Sequence, residues 1–153
     1  MTSLHEELID TWDFRLRKLL YILNEEKALL GNLYRIVSEE RDAIVGLKYK
    51  ELEGILRKKE ETIMKLSLWE KEREKLGLNK KSLYEIIIEC EHNEEFYQLR
   101  ELYNSMKALL DAIGEIQKIN EQLINRSIFH IGMSLKFLES FGISPKQSFS
   151  KEA

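Results

Sequence analysis

Apolar residues recur along this chain at alternating steps of four and three. In the first third, Trp12, Leu16, Leu19, Leu23, Leu30, Leu33, Val37 and Ile44 keep this rhythm. Such steps hold one stripe along one side of an α-helix, and a helix buries that stripe only against other helices. The rhythm returns with Leu52, Leu56, Ile63, Leu66 and Trp69. It returns again with Phe96, Leu99, Tyr103, Met106, Leu110, Ile113, Ile124, Ile131 and Leu138. The pattern predicts long helices over about 5–46, 48–75 and 94–141. The fold class is therefore all-α: an antiparallel helical hairpin plus a long C-terminal helix, an elongated three-helix bundle or coiled coil.

The breaks carry their own signals. Ser3 followed by Glu6 has the pattern of a capping box at the first helix start. The rhythm fails at Gly46-Leu47-Lys48, and so short a connection makes the flanking helices antiparallel. Gly77 suits a left-handed cap at the end of the second helix. After the polar link Leu78-Asn79-Lys80-Lys81, Ser82 and Glu85 form a second capping box, opening a short helix over 83–90. Glu91-His92-Asn93 marks a bend. Gly142 and Pro145 end the last helix, leaving one bundle domain over 1–141 and a tail, 142–153, that reads as mobile.

Composition narrows the function classes. The chain has 153 residues, single-domain size, and 33% of them are charged with a net charge of only −3. The signs are interleaved, as in Glu39-Glu40-Arg41-Asp42, which suits solvated helix faces. No basic block suggests nucleic acid, and no apolar run approaches the ~20 residues of a membrane span. The N-terminus lacks the basic start and apolar core of a secretory signal. Cys90 is the single cysteine, so no internal disulfide forms and a cytoplasmic location is expected.

Catalytic chemistry is poorly served. Glu89-x-x-His92 has the spacing used in di-iron bundles, but neither His5 nor His130 completes a second copy. Cys90 has no nearby base to activate it, and no glycine-rich phosphate loop exists. The expectation is a protein with no enzymatic activity, no metal and no cofactor. It works by offering helical surface to a partner.

Polar residues interrupt two stripes. Glu26 and Glu40 fall on the first, Lys59 and Arg73 on the second. A hairpin folded about residue 49 sets Glu26 opposite Arg73, Glu40 opposite Lys59, Leu33 against Leu66 and Leu30 against Trp69. Either these opposite charges fix the register as structural ion pairs, or the long side chains run past the seam to water.

The last helix carries more apolar surface than a bundle needs. Ile124, Ile128, Ile131, Leu135 and Leu138 form one stripe, and Phe129, Met133, Phe137 and Phe141 another. At ~100° per residue the two lie on roughly opposite sides. The hairpin is expected to cover the first. The second awaits a folded-back tail, a copy of the chain or a client helix.

Three segments together resemble a known family. They are Glu26-x-x-Ala-Leu-Leu with Glu39-Glu40-Arg41-Asp42-Ala43-Ile44; Leu52, Lys59-Glu60-Glu61, Ile63 and Arg73; and Ile119-Asn120-Glu121-Gln122-Leu123-Ile124-Asn125. Their order over about residues 10–140 resembles the FlgN family of flagellar export chaperones. The resemblance implies a cytoplasmic chaperone of type III export that binds hook-associated proteins, the subunits at the hook–filament junction. It would prevent their premature assembly and deliver them to the export gate. It also implies client binding through the C-terminal helix, here Ile119, Leu123, Phe129, Met133, Phe137 and Phe141; the uncovered second stripe separately allows self-association when no client is bound. The competing expectation is a coiled-coil structural or adaptor protein in a constitutive oligomer, which would bury both stripes.

Overall fold

The computed structural model describes residues 2–78, 82–89 and 97–142, apart from the side chains of residues 2–12, 89, 130, 131 and 137. Cys90, the Glu91-His92-Asn93 bend, Phe96 and the tail 143–153 lie outside the described residues. Four helices follow in order: α1 (Thr2–Val45), α2 (Tyr49–Glu74), α3 (Leu83–Glu89) and α4 (Tyr97–Ser140). No strand occurs among the described residues. The chain is an all-α bundle. The first boundary differs from the capping-box expectation: α1 is already under way at Thr2, so Ser3 sits inside the helix rather than capping it.

α1 is the central element, with α2 packed against it on one side and α4 on another. α2 runs antiparallel to α1, as its three-residue connection requires. α4 runs parallel to α1. Its first part, Leu99, Leu102 and Met106, shares a core with Leu16, Leu19, Leu23 and Leu30, while Ile116 meets Leu33 and Val37 further along both helices. α3 closes the lower end by adding Ile86 and Ile87, with Leu78 of the preceding link, to the first core. Leu16, Leu19, Leu23 and Leu99 are almost wholly buried, and each such side chain contributes about 1.5–3 kcal/mol. Leu66 packs against the cluster that contains Leu33. The Trp69 ring stands edge-to-face with Tyr21, 5.9 Å between centroids, a contact that pairing Trp69 with Leu30 does not give.

The buried face of α2 corrects the sequence pattern. Leu56 and Ile63 are exposed, whereas Ile55 and Thr62 are buried. Residues 55, 59, 62, 66 and 73 form a stripe with the same four-and-three spacing as 52, 56, 59, 63 and 66. Both stripes include Leu66 and the cations Lys59 and Arg73, which meet buried carboxylates of α1. The observed one differs in presenting Ile55 and Thr62 to α1, with Leu56 and Ile63 turned outward. The hydroxyl of Thr62 is satisfied within the helix by the Lys58 carbonyl, 2.8 Å away.

The C-terminal ends of α1, α2 and α4 are closed by backbone bonds. After α1, Leu47 N–H donates to Ile44 O and Lys48 N–H to Ala43 O, at 3.2 and 2.9 Å. This pair of bonds is a Schellman motif, whose left-handed position is usually glycine. Here that position is Leu47, at φ 56°, and not the neighbouring Gly46. Gly77 and Gly142 take the left-handed conformation after α2 and α4. Ser82 Oγ accepts from Glu85 N–H at 3.2 Å, capping α3.

Candidate partner-binding surface

The geometry of α4 is set by a polar cluster that joins three helices at one level. Asn120, fully buried, donates its amide to Val37 O at 3.0 Å and to Glu40 Oε1 at 2.7 Å. Glu40 is 2% exposed and accepts from Lys59 Nζ at 3.2 Å. The same ammonium donates to Gln117 Oε1 at 2.7 Å. One carboxylate of α1 thus receives a cation from α2 and an amide from α4, and the cation reaches back to α4. A buried charge is tolerated when paired and hydrogen-bonded in this way. Asn120 and Gln117 escaped the reading of side-chain roles. An asparagine flanked by Ile119 and Glu121 on a long amphipathic helix gives no sign of burial, although asparagine at a seam is a known register device.

The second pair is less well aligned. Arg73 Nε lies 3.2 Å from Glu26 Oε1, yet neither atom has a hydrogen-bond partner of good geometry. Burial raises the Glu26 pKa above 4.5, the Arg73 charge lowers it in part, and neighbouring Glu70 raises it further. Both atoms border an open cavity of about 440 Å³ between α2 and α4, which Leu30, Leu66, Tyr103 and Met106 also line.

Beyond Asn120, no described side chain of α4 is buried. The cause is register. Asn120 stands beside Val37, only eight residues before α1 ends at Val45, while α4 continues for twenty more to Ser140. At 1.5 Å per residue, the last dozen residues overhang the hairpin by roughly 18 Å. The stripe assigned to the hairpin is not covered by it. Ile128 and Leu138, at or past the end of α1, are exposed and Leu135 is half-buried, while Ile124 is exposed although still level with Arg41. The opposite stripe is exposed too, at Phe129, Met133 and Phe141. Ile119 is also exposed and Leu123 is half-buried. The side chains of Ile131 and Phe137, members of these stripes by sequence, lie outside the described residues.

No helix among the described residues is long and apolar enough to cross a membrane. A run of exposed apolar residues along one helix is the kind of surface that accepts a partner, although single apolar residues such as Phe14, Met64 and Leu68 are exposed elsewhere on the bundle. The family model for FlgN protein matches residues 15–141, from the first core leucines to the end of the overhang. The chain belongs to the FlgN family. Comparison with curated proteins and with solved structures yields no match. FlgN proteins are flagellar export chaperones. The matched segment also contains Glu26, Glu40, Lys59, Arg73 and Asn120, the polar groups between the helices.

Proposed function

We propose that the chain is a cytoplasmic chaperone of flagellar type III export whose clients are hook-associated proteins, held by the C-terminal part of α4. The overhang carries this reading: a helix apolar on opposite sides, projecting past the hairpin that anchors it. A client's amphipathic terminal helix, which would otherwise self-assemble, is the natural complement. Covering it blocks premature assembly, and handing it over at the export gate releases it. Ile119, Leu123, Phe129, Met133, Phe137 and Phe141 are the proposed contact residues, and each fully covered side chain would contribute about 1.5–3 kcal/mol.

The test is calorimetric titration of a purified hook-associated protein into the Met133→Asp chain. Met133 is 54% exposed, so the substitution should leave helicity and melting temperature nearly unchanged while weakening binding at least tenfold. Unchanged affinity in a folded variant would place the client elsewhere. A constitutive oligomer of the free chain that conceals Met133 would favour a structural coiled coil instead.

A further inference from the structure

Two polar layers cross the bundle, and they begin alike. In each, a buried glutamate of α1 meets a cation of α2: Glu40 with Lys59, and Glu26 with Arg73. Amides from α4 complete the upper layer. Asn120 donates to Glu40 at 2.7 Å, and Gln117 accepts from Lys59 at 2.7 Å. Equal rises along the parallel helices from the Asn120–Glu40 contact bring Met106 level with Glu26. The thioether of Met106 stands where the upper layer has an amide.

The lower layer is left unsatisfied. The Glu26 side chain is only 8% exposed, and its Oε1, like Arg73 Nε, has no hydrogen-bond partner of good geometry. Buried polar atoms in this state are rare in folded chains. A side-chain amide donates and accepts at once, so it suits a carboxylate and a guanidinium together without adding a charge.

The space beside this layer is open, and it has the length of a short helix. The cavity of about 440 Å³ between α2 and α4 shares Glu70, Arg73 and Leu83 with a second of about 380 Å³ beside α3. The two form one cleft, floored by α1 from Leu19 to Leu30, about 16 Å or three helical turns. Its walls are helices with their backbone groups already bonded, so they offer no edge to an extended strand. A helix satisfies its own backbone and needs none. Charge distinguishes the two walls: Glu70 stands on α2 and Lys107 on α4, and neither forms an ion pair among the described residues.

Resting on the chaperone reading above, we infer that this cleft is a second docking site, for one amphipathic client helix that carries an asparagine or glutamine on its apolar face. The amide meets Glu26 and Arg73 and completes the lower layer as Asn120 and Gln117 complete the upper. Apolar residues three and four positions away pack on Leu30, Leu66 and Leu110. A basic residue flanks them toward Glu70 and an acidic one toward Lys107.

The Glu26 carboxyl carbon reports on this directly by NMR. It is followed against pH in the full chain, alone and saturated with a purified hook-associated protein. An arriving amide donor favours the charged form, so the titration midpoint should move to lower pH in the complex. A midpoint that stays or rises refutes the amide, because cover without a donor only adds burial. Leu110→Asp should weaken binding of the same client about tenfold. Leu110 is 54% exposed, so helicity and melting temperature should hold. If Leu110→Asp binds as well as the parent while Met133→Asp does not, the cleft is refuted and the end of α4 stands as the site. If the parent itself does not bind the client, the chaperone reading fails and this inference falls with it.

Discussion

Asn120 reaches across 83 residues of sequence to donate its side-chain amide to the carbonyl of Val37. That bond ties α4 to α1 at the last buried residue described in α4 and, with the apolar contacts below it, sets how far α4 overhangs. Its second donor goes to Glu40, so the amide NH2 is fully used while Asn120 Oδ1 has no hydrogen-bond partner. Asn120→Ala removes both bonds, leaves a small void and deprives a buried carboxylate of a donor. Urea unfolding should show a loss of about 2 kcal/mol. A loss below a few tenths would mean that α4 does not depend on this contact.

Lys59 and Glu40 are the most deeply placed ion pair described between helices, with side chains 18% and 3% exposed. Lys59→Met should cost about 3 kcal/mol, since it strands a buried carboxylate. Adding Glu40→Gln should return part of that loss. A double-mutant cycle of the two should give a coupling of about 1–3 kcal/mol, and strict additivity would show that the pair does not act as one.

Glu26 gives the fold a specific pH dependence. Its native pKa is raised because burial outweighs the Arg73 attraction, so the folded state binds this proton more tightly than the unfolded state. The contribution is fully present below the unfolded-state value and is lost as pH rises through the raised native value. Glu26→Gln should therefore gain stability relative to the parent as pH rises above the ordinary carboxylate value of 4.5 and through the raised native one. Denaturant titrations across that window check the sign. A relative loss would mean that the Arg73 attraction dominates.

Removing the overhang should spare the bundle. A chain ending at Arg126 keeps every buried residue described in α4, from Leu99 to Asn120. Its unfolding should stay cooperative, with a stability change within about 1 kcal/mol. A large loss in melting temperature would show that residues 127–153 pack on the hairpin.

Much of the fold was legible in the sequence, because long four-and-three stripes leave few alternatives to helices packed on helices. The weak points arose where two stripes compete. On α2, the two stripes share Lys59 and Arg73. In the rotation that brings both cations to Glu40 and Glu26, the helix buries Ile55 and Thr62 rather than the more apolar Leu56 and Ile63. A buried carboxylate without a partner costs more than an exposed leucine. At the first turn, Gly46 drew the eye, yet the left-handed residue is Leu47, for which local preference gives no warning. The overhang was only half legible. Two apolar stripes could be counted on α4, but the stripe thought to be covered is exposed. How far α4 slides along α1 depends on one buried amide, Asn120, with the apolar contacts below it, and a helical periodicity carries no information about that offset.

The parallel course of α1 and α4 bears on how the molecule assembles. Contacts between α1 and α2 close over a three-residue turn, whereas those between α1 and α4 join residues some eighty positions apart. The hairpin can zip locally, while α4 must search for its seat after a long loop has closed, a slow step for an all-helical protein. On the ribosome the order is stricter still. α1 and α2 emerge and pair first, and the apolar end of α4 is made after both. Until α4 is seated, the leucines of α1 that it covers stand open, so the newborn chaperone passes through a moment of needing protection itself.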